Sequence, residues 1–178
     1  MTAGDGHQGQ GAGTPAPRSA SSVPAAGLPD YAELRCVSTF SFLVGASQPE
    51  ELVERAHKQG YRALALTDEC SVAGVVRAHV AAKKIGLKLL IGSQFSVAVP
   101  EPSCDDAPGP FSLGVLACNL NGYGNLCEFI TKLRRASEKG TYHLNLGDIA
   151  SDELADCVVV ASPVRGSTDA QLVGLARW

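Results

Sequence analysis

Asp68 and Glu69, two adjacent carboxylates, are the residues of this chain best placed for chemistry. They follow Thr67 and, before it, Ala63, Leu64, Ala65 and Leu66, and so short an unbroken apolar run as these four reads as a strand buried on both faces. A carboxylate just past the C-terminal end of such a strand can ligate a divalent ion or act as a general base. That end is also where parallel α/β folds keep their active sites. The plainer alternative is that the pair caps a helix beginning near Ser71, where acids favour the helix dipole. Ser38, Thr39 and Ser41 cluster after an earlier strand, but no His or Lys partner for a nucleophile is evident, so they read as groups that satisfy loop backbone. His7, His57, His79 and His143 are not spaced as a metal-binding pair. Lys132, Arg134, Arg135 and Lys139 read either as a phosphate contact or as a solvated helix face.

These residues need a scaffold, and the stretch 34–95 supplies a β-α-β-α-β pattern. A first strand is expected over 31–37. Ser47 and Glu50 frame a capping box with Pro49 in the first turn of a helix. Leu52, Val53 and Ala56 share one face of it, and Gly60 ends it. Val72, Val75, Val76, His79 and Val80 form the stripe of a second helix that stops at Gly86. A buried strand over 87–91 is closed by Gly92. Strands separated by such helices imply parallel pairing with right-handed crossovers. Further strands are expected over 95–99, 113–118 and 157–161, the last of them buried. Helices are expected over 125–139 and from 171, with a helical turn over 146–150. On the 125–139 helix Leu126, Phe129, Ile130 and Leu133 face inward, and the basic residues face mostly outward.

Composition narrows the class. The 178 residues allow one core, and a net charge of −3 argues against electrostatically driven nucleic-acid binding by the chain as a whole. The six cysteines form no C-x-x-C pair, and several lie in apolar runs, which suits a reduced, cytoplasmic protein. No apolar run approaches a membrane span, and the N-terminus lacks the order of a signal peptide. Residues 1–28 are rich in Gly, Ala, Pro and Ser and are expected to be a disordered tail, with one domain over 29–178. Residues 100–110, rich in proline and acids, read as an exposed loop.

The order of these segments resembles a known family. Leu34-Arg35-Cys36-Val37-Ser38 through Ala46 is similar to the opening motif of the PHP (polymerase and histidinol phosphatase) domain. Thr67-Asp68-Glu69-Cys70 resembles its second motif, and Ile91-Gly92-Ser93-Gln94-Phe95 its third. The continuation from Ser71 to His79, with Ala117-Cys118-Asn119 through Leu126, resembles the subfamily found in error-prone DNA polymerases, relatives of the bacterial replicative alpha subunit.

The resemblance implies an α/β fold, an incomplete PHP-type distorted (β/α)7 barrel with parallel strands alternating with helices. Metal-binding members carry His-x-His in the first motif, Asp-His in the second and Glu in the third. Here Arg35, Val37, Glu69 and Gln94 stand at those places, leaving Asp68 as the one vestigial ligand position and no cofactor expected for the segment. The remaining motifs and the polymerase palm, with its magnesium, would lie beyond Trp178, so the chain reads as a truncated N-terminal portion. The implied function is translesion DNA synthesis and repair by the parent enzyme, with DNA, the polymerase core and other repair proteins as partners and the segment as scaffold. A stand-alone metal-dependent phosphoesterase and a non-catalytic interaction module are the alternatives.

Overall fold

The computed structural model describes residues 1, 30–98, 110–150 and 152–177. The readings of 1–28 as a tail and of 100–110 as a loop lie outside these residues, apart from their end residues. The elements run β1 (Ala32–Cys36), α1 (Pro49–Lys58), β2 (Ala63–Glu69), α2 (Val75–Ile85), β3 (Lys88–Val97), β4 (Phe111–Ala117), α3 (Leu120–Ala136), a 3-10 turn (Leu146–Asp148), β5 (Cys157–Pro163) and α4 (Asp169–Arg177). The five strands form one sheet in sequence order, curled as an incomplete barrel of mixed α/β class.

Strand pairing is parallel where helices intervene early, from β1 to β2 and from β2 to β3, as the α/β alternation requires. The expectation of parallel strands throughout needs correction beyond that point. β4 pairs antiparallel to β3, and β5 antiparallel to β4. Among the described residues no crossover helix joins β3 to β4, and an antiparallel pair needs none.

β3 is also one strand where two were expected. Gly92 does not close it. The residue pairs with Leu116, and a Cβ there would stand 2.5 Å from the Val115 carbonyl oxygen. The glycine lets β4 approach, and the ladder continues through it.

Two apolar clusters hold the layers together. Val53 and Ala56 of α1 and Val75, Ala78 and Ala82 of α2 cover Leu64, Leu66 and Leu87. Phe95, Val97, Phe111, Leu113 and Val115 meet Leu126, Phe129 and Leu133 of α3, with the rings of Phe95 and Phe129 edge to face at 5.2 Å.

Three helix and strand expectations shift. Gln48, not Ser47, caps α1, because Pro49 occupies the first helical position; the Gln48 amide donates to Glu51 Oε2 at 2.8 Å. The buried face of α2 is Val75, Ala78 and Ala82, while Val76 and Val80 are exposed. Its small alanines allow close packing against the sheet and turn the valines to the flank. β5, expected to be buried, leaves Val158, Val159 and Val160 exposed, because it is an edge strand with a neighbour on one side only.

Candidate functional site

Asp68 ends the buried run of β2 with its side chain almost wholly inaccessible, at 1% exposure. Burying a carboxylate requires donors, and the loop after β1 provides them. The Ser38 amide donates to Asp68 Oδ1 at 2.7 Å, the Ser38 hydroxyl to Oδ2 at 2.8 Å, and the Ser41 hydroxyl to Oδ1 at 2.7 Å. The Glu69 amide in turn donates to Ser41 Oγ at 2.9 Å. On the neighbouring strand, Ser93 Oγ donates to the Asp68 carbonyl at 2.7 Å and accepts from the Ser71 amide at 3.0 Å. Neither Asp68 nor Glu69 caps α2, which begins only at Val75 behind Gly74.

Glu69 and Gln94 lie on the other face of the sheet. Parallel register sets Asp68 opposite Ser93 and Glu69 opposite Gln94, and successive side chains alternate between faces. Arg35 reaches across from β1 and donates through Nε to Gln94 Oε1 at 2.8 Å and through Nη2 to Ser112 Oγ at 2.9 Å. Glu69 accepts from the Tyr142 hydroxyl and from Ser96 Oγ, the latter at 3.1 Å. Arg134, expected to face outward with its basic neighbours, instead turns inward. Its guanidinium donates to the carbonyls of Glu69, Cys70, Gly140 and Thr141 and lies over the Tyr142 ring, 5.5 Å from the centroid. It ties the end of β2 to the segment after α3.

The family model for the PHP domain matches residues 33–165. The chain belongs to the PHP domain family. It is also 52% identical over 162 residues to an error-prone DNA polymerase of Ralstonia nicotianae, covering 85% of this chain and 14% of that protein. A protein of the same name from Dechloromonas aromatica is 54% identical over 140 residues, 76% of this chain and 13% of its own length. The chain thus spans a small part of the relatives it matches. A solved structure described as a candidate metal-dependent phosphoesterase from Bifidobacterium adolescentis matches with a TM-score of 0.47 at 23% identity, over 60% of this chain and 34% of that one.

For a PHP domain, the question is whether a metal fits these residues. The arrangement found does not suit one. Arg35 brings a cation to the face that Gln94 shares, and Gln94 Oε1 is already bonded to it. Val37, half-buried just past β1, has no lone pair to offer. Asp68 projects from the opposite face and accepts from serines. The five motif positions therefore do not converge on one point. Among the described residues no group of three or more His, Cys, Asp or Glu is placed to hold an ion. His57, His79 and His143 are each exposed and apart, and His7 lies outside the described residues. Lys132 pairs with Glu153 rather than standing free for phosphate.

Burial shapes the remaining titratable groups. Desolvation pushes the Cys70 thiol from 9.0 up to about 11, opposed by the Arg134 charge. It pushes Cys36 up to about 11 as well, aided by the carboxylates of Glu33 and Asp68. The Tyr142 hydroxyl is raised well above its ordinary value, first by burial and then by its hydrogen bond to Glu69. Tyr142 and Ser112 were not visible as site residues in the sequence. Both act across long chain separations, and nothing in local spacing marks them.

Proposed function

We propose that the chain is the PHP segment of an error-prone DNA polymerase, whose parent enzyme synthesises DNA past lesions during damage-induced replication and repair in the cytoplasm. In that reading, magnesium serves the polymerase body, where the nucleotidyl transfer takes place. The PHP segment, residues 29–178, is a scaffold that packs on that body, and its metal positions are degenerate. Similarity to proteins named error-prone DNA polymerase supports the parentage. The observation that carries the scaffold reading is Arg35, whose guanidinium occupies Gln94 and Ser112 where a metal would need neutral or anionic ligands. Among the described residues no helix is long and apolar enough to cross a membrane.

Calorimetric titration of the chain with manganese and with zinc tests the degenerate site. The expected result is heat of dilution alone. Submicromolar binding abolished by Gln94→Ala would overturn it. For the parentage, disrupting the gene should lower mutagenesis induced by DNA damage in the source organism, and an unchanged mutation frequency would sink the polymerase reading.

A further inference from the structure

The loop between β1 and α1 is braced far more heavily than a surface connection needs, and its tip is apolar. Ser38 and Ser41 are fastened to Asp68 by the three bonds described above. The Ser41 amide donates to the Ser38 carbonyl at 2.9 Å, and the amides of Val44 and Gly45 donate to the Ser41 carbonyl at 3.0 and 2.9 Å. The Thr39 amide closes the base on the Ser47 carbonyl at 2.9 Å. Gly45 passes so near Ser38 that a Cβ would lie 1.9 Å from its carbonyl oxygen, so no other residue fits that path. At the tip Leu43 adopts φ of +62° without being glycine, a conformation that persists only where the surroundings impose it. On this base Phe42, Leu43 and Val44 stand 83%, 89% and 65% exposed. Single exposed apolar residues are ordinary, but three in succession on a fixed loop make a contact surface.

We propose that Phe42, Leu43 and Val44 form a preformed apolar plug that seats in an apolar socket on the polymerase body of the same parent protein. The inference rests on the polymerase reading above. Residues 37–48 include no charged side chain, so the loop has nothing with which to meet lipid headgroups or nucleic-acid phosphates, and a protein surface is the occupant. Three residues bury far less than the roughly 800 Å² per partner typical of a stable separate complex. Such a contact holds where tethering supplies a high effective concentration. The Ralstonia nicotianae relative, of which this chain matches 14%, has the additional polypeptide to provide both socket and tether. Asp68 is then a positioning residue for the plug.

The test is a full-length chimera, the Ralstonia nicotianae polymerase carrying this chain in place of its matching stretch, with a photo-cross-linking amino acid at position 43 and a control probe at the exposed Val76. Primer extension first establishes that the chimera works. Cross-links from position 43 should map to one apolar peptide of the polymerase body. Replacing Phe42→Ser, Leu43→Gly and Val44→Ser together should raise proteolytic release of the segment about tenfold without shifting the thermal unfolding of the isolated chain. An active chimera that cross-links only from position 76, or only between two copies, would overturn the plug. So would unchanged proteolysis in the triple variant. A chimera without primer extension, beside an active parent enzyme, would remove the polymerase reading and the plug with it.

Discussion

Asp68 and the valines of β5 show two ways a side chain can be out of place in a sheet, one settled within the chain and one not. Asp68 is a polar group in a dry interior, and the loop after β1 supplies its donors. Val158, Val159 and Val160 are apolar groups left 51%, 40% and 43% exposed, and the described residues cover them only in part. The first region is satisfied within the chain, while the second is left partly open among the described residues. Leaving one large apolar side chain unburied forgoes roughly 1.5–3 kcal/mol, against a typical domain stability of about 5–15 kcal/mol. With the three valines about half covered, the open edge is expected to favour association of the chain.

The sharpest way to break the contrast is Asp68→Ala. It strands the Ser38 amide and two hydroxyls in a buried pocket, and a loss of about 3–5 kcal/mol is expected in urea unfolding. A loss below about 1 kcal/mol would mean that the loop readily finds other partners.

Arg134→Met should come next. It removes a guanidinium shared among four carbonyls, two at the end of β2 and two after α3, through long bonds of 3.2–3.4 Å. The expected loss is about 1–2 kcal/mol, with the amides around Cys70 exchanging faster in hydrogen-exchange measurements.

A smaller effect follows from pH. The folded state holds the thiol protons of Cys36 and Cys70 up to about 11, above their ordinary 9.0. The folded chain therefore binds more protons than the unfolded chain between those values, and stability falls as pH rises through that window. Below about pH 9 this contribution should be fully present. Unfolding temperatures at pH 8 and pH 10.5, repeated with Cys70→Ala, check it; the variant should show the shallower dependence. At pH 8, exposed Cys118 should alkylate well before Cys70.

The smallest change in stability is expected at the other region. Val159→Lys, on the exposed edge strand, should alter unfolding by no more than about 0.5 kcal/mol. It should nevertheless reduce the concentration-dependent association of the wild-type chain on size exclusion, since a lysine blunts an edge. A wild-type chain that runs as a monomer at every concentration would show that β5 needs no neighbour.

The sequence discloses the central scaffold well, because its signals are local. Ala63 to Leu66 is an apolar run, Leu126, Phe129 and Leu133 keep helical spacing, and Gly86 marks the end of α2. What escapes is set by contacts distant in the chain. Gly92 looks like a strand end until Val115 is seen lying against it. Val158 to Val160 look like core until β5 is placed at the edge of the described sheet. The site divides the same way. The residue types at positions 35, 37, 69 and 94 are legible one by one, but not that Arg35 bonds Gln94, nor that Asp68 faces away from both. The serines near Asp68 read as loop-satisfying groups, whereas their main acceptor is the carboxylate itself.

The Arg35–Gln94 contact has a consequence for how such a domain can change over generations. Suppose Gln94 alone were changed to glutamate. The neutral hydrogen bond at 2.8 Å would become a charge-assisted one and hold the guanidinium more firmly. If Arg35 alone were changed to histidine, Gln94 would offer an ion only a neutral amide oxygen. Neither step is rewarded without the other, and the first makes the second harder. The contact works as a lock: no single substitution at these two positions readies both of them for an ion.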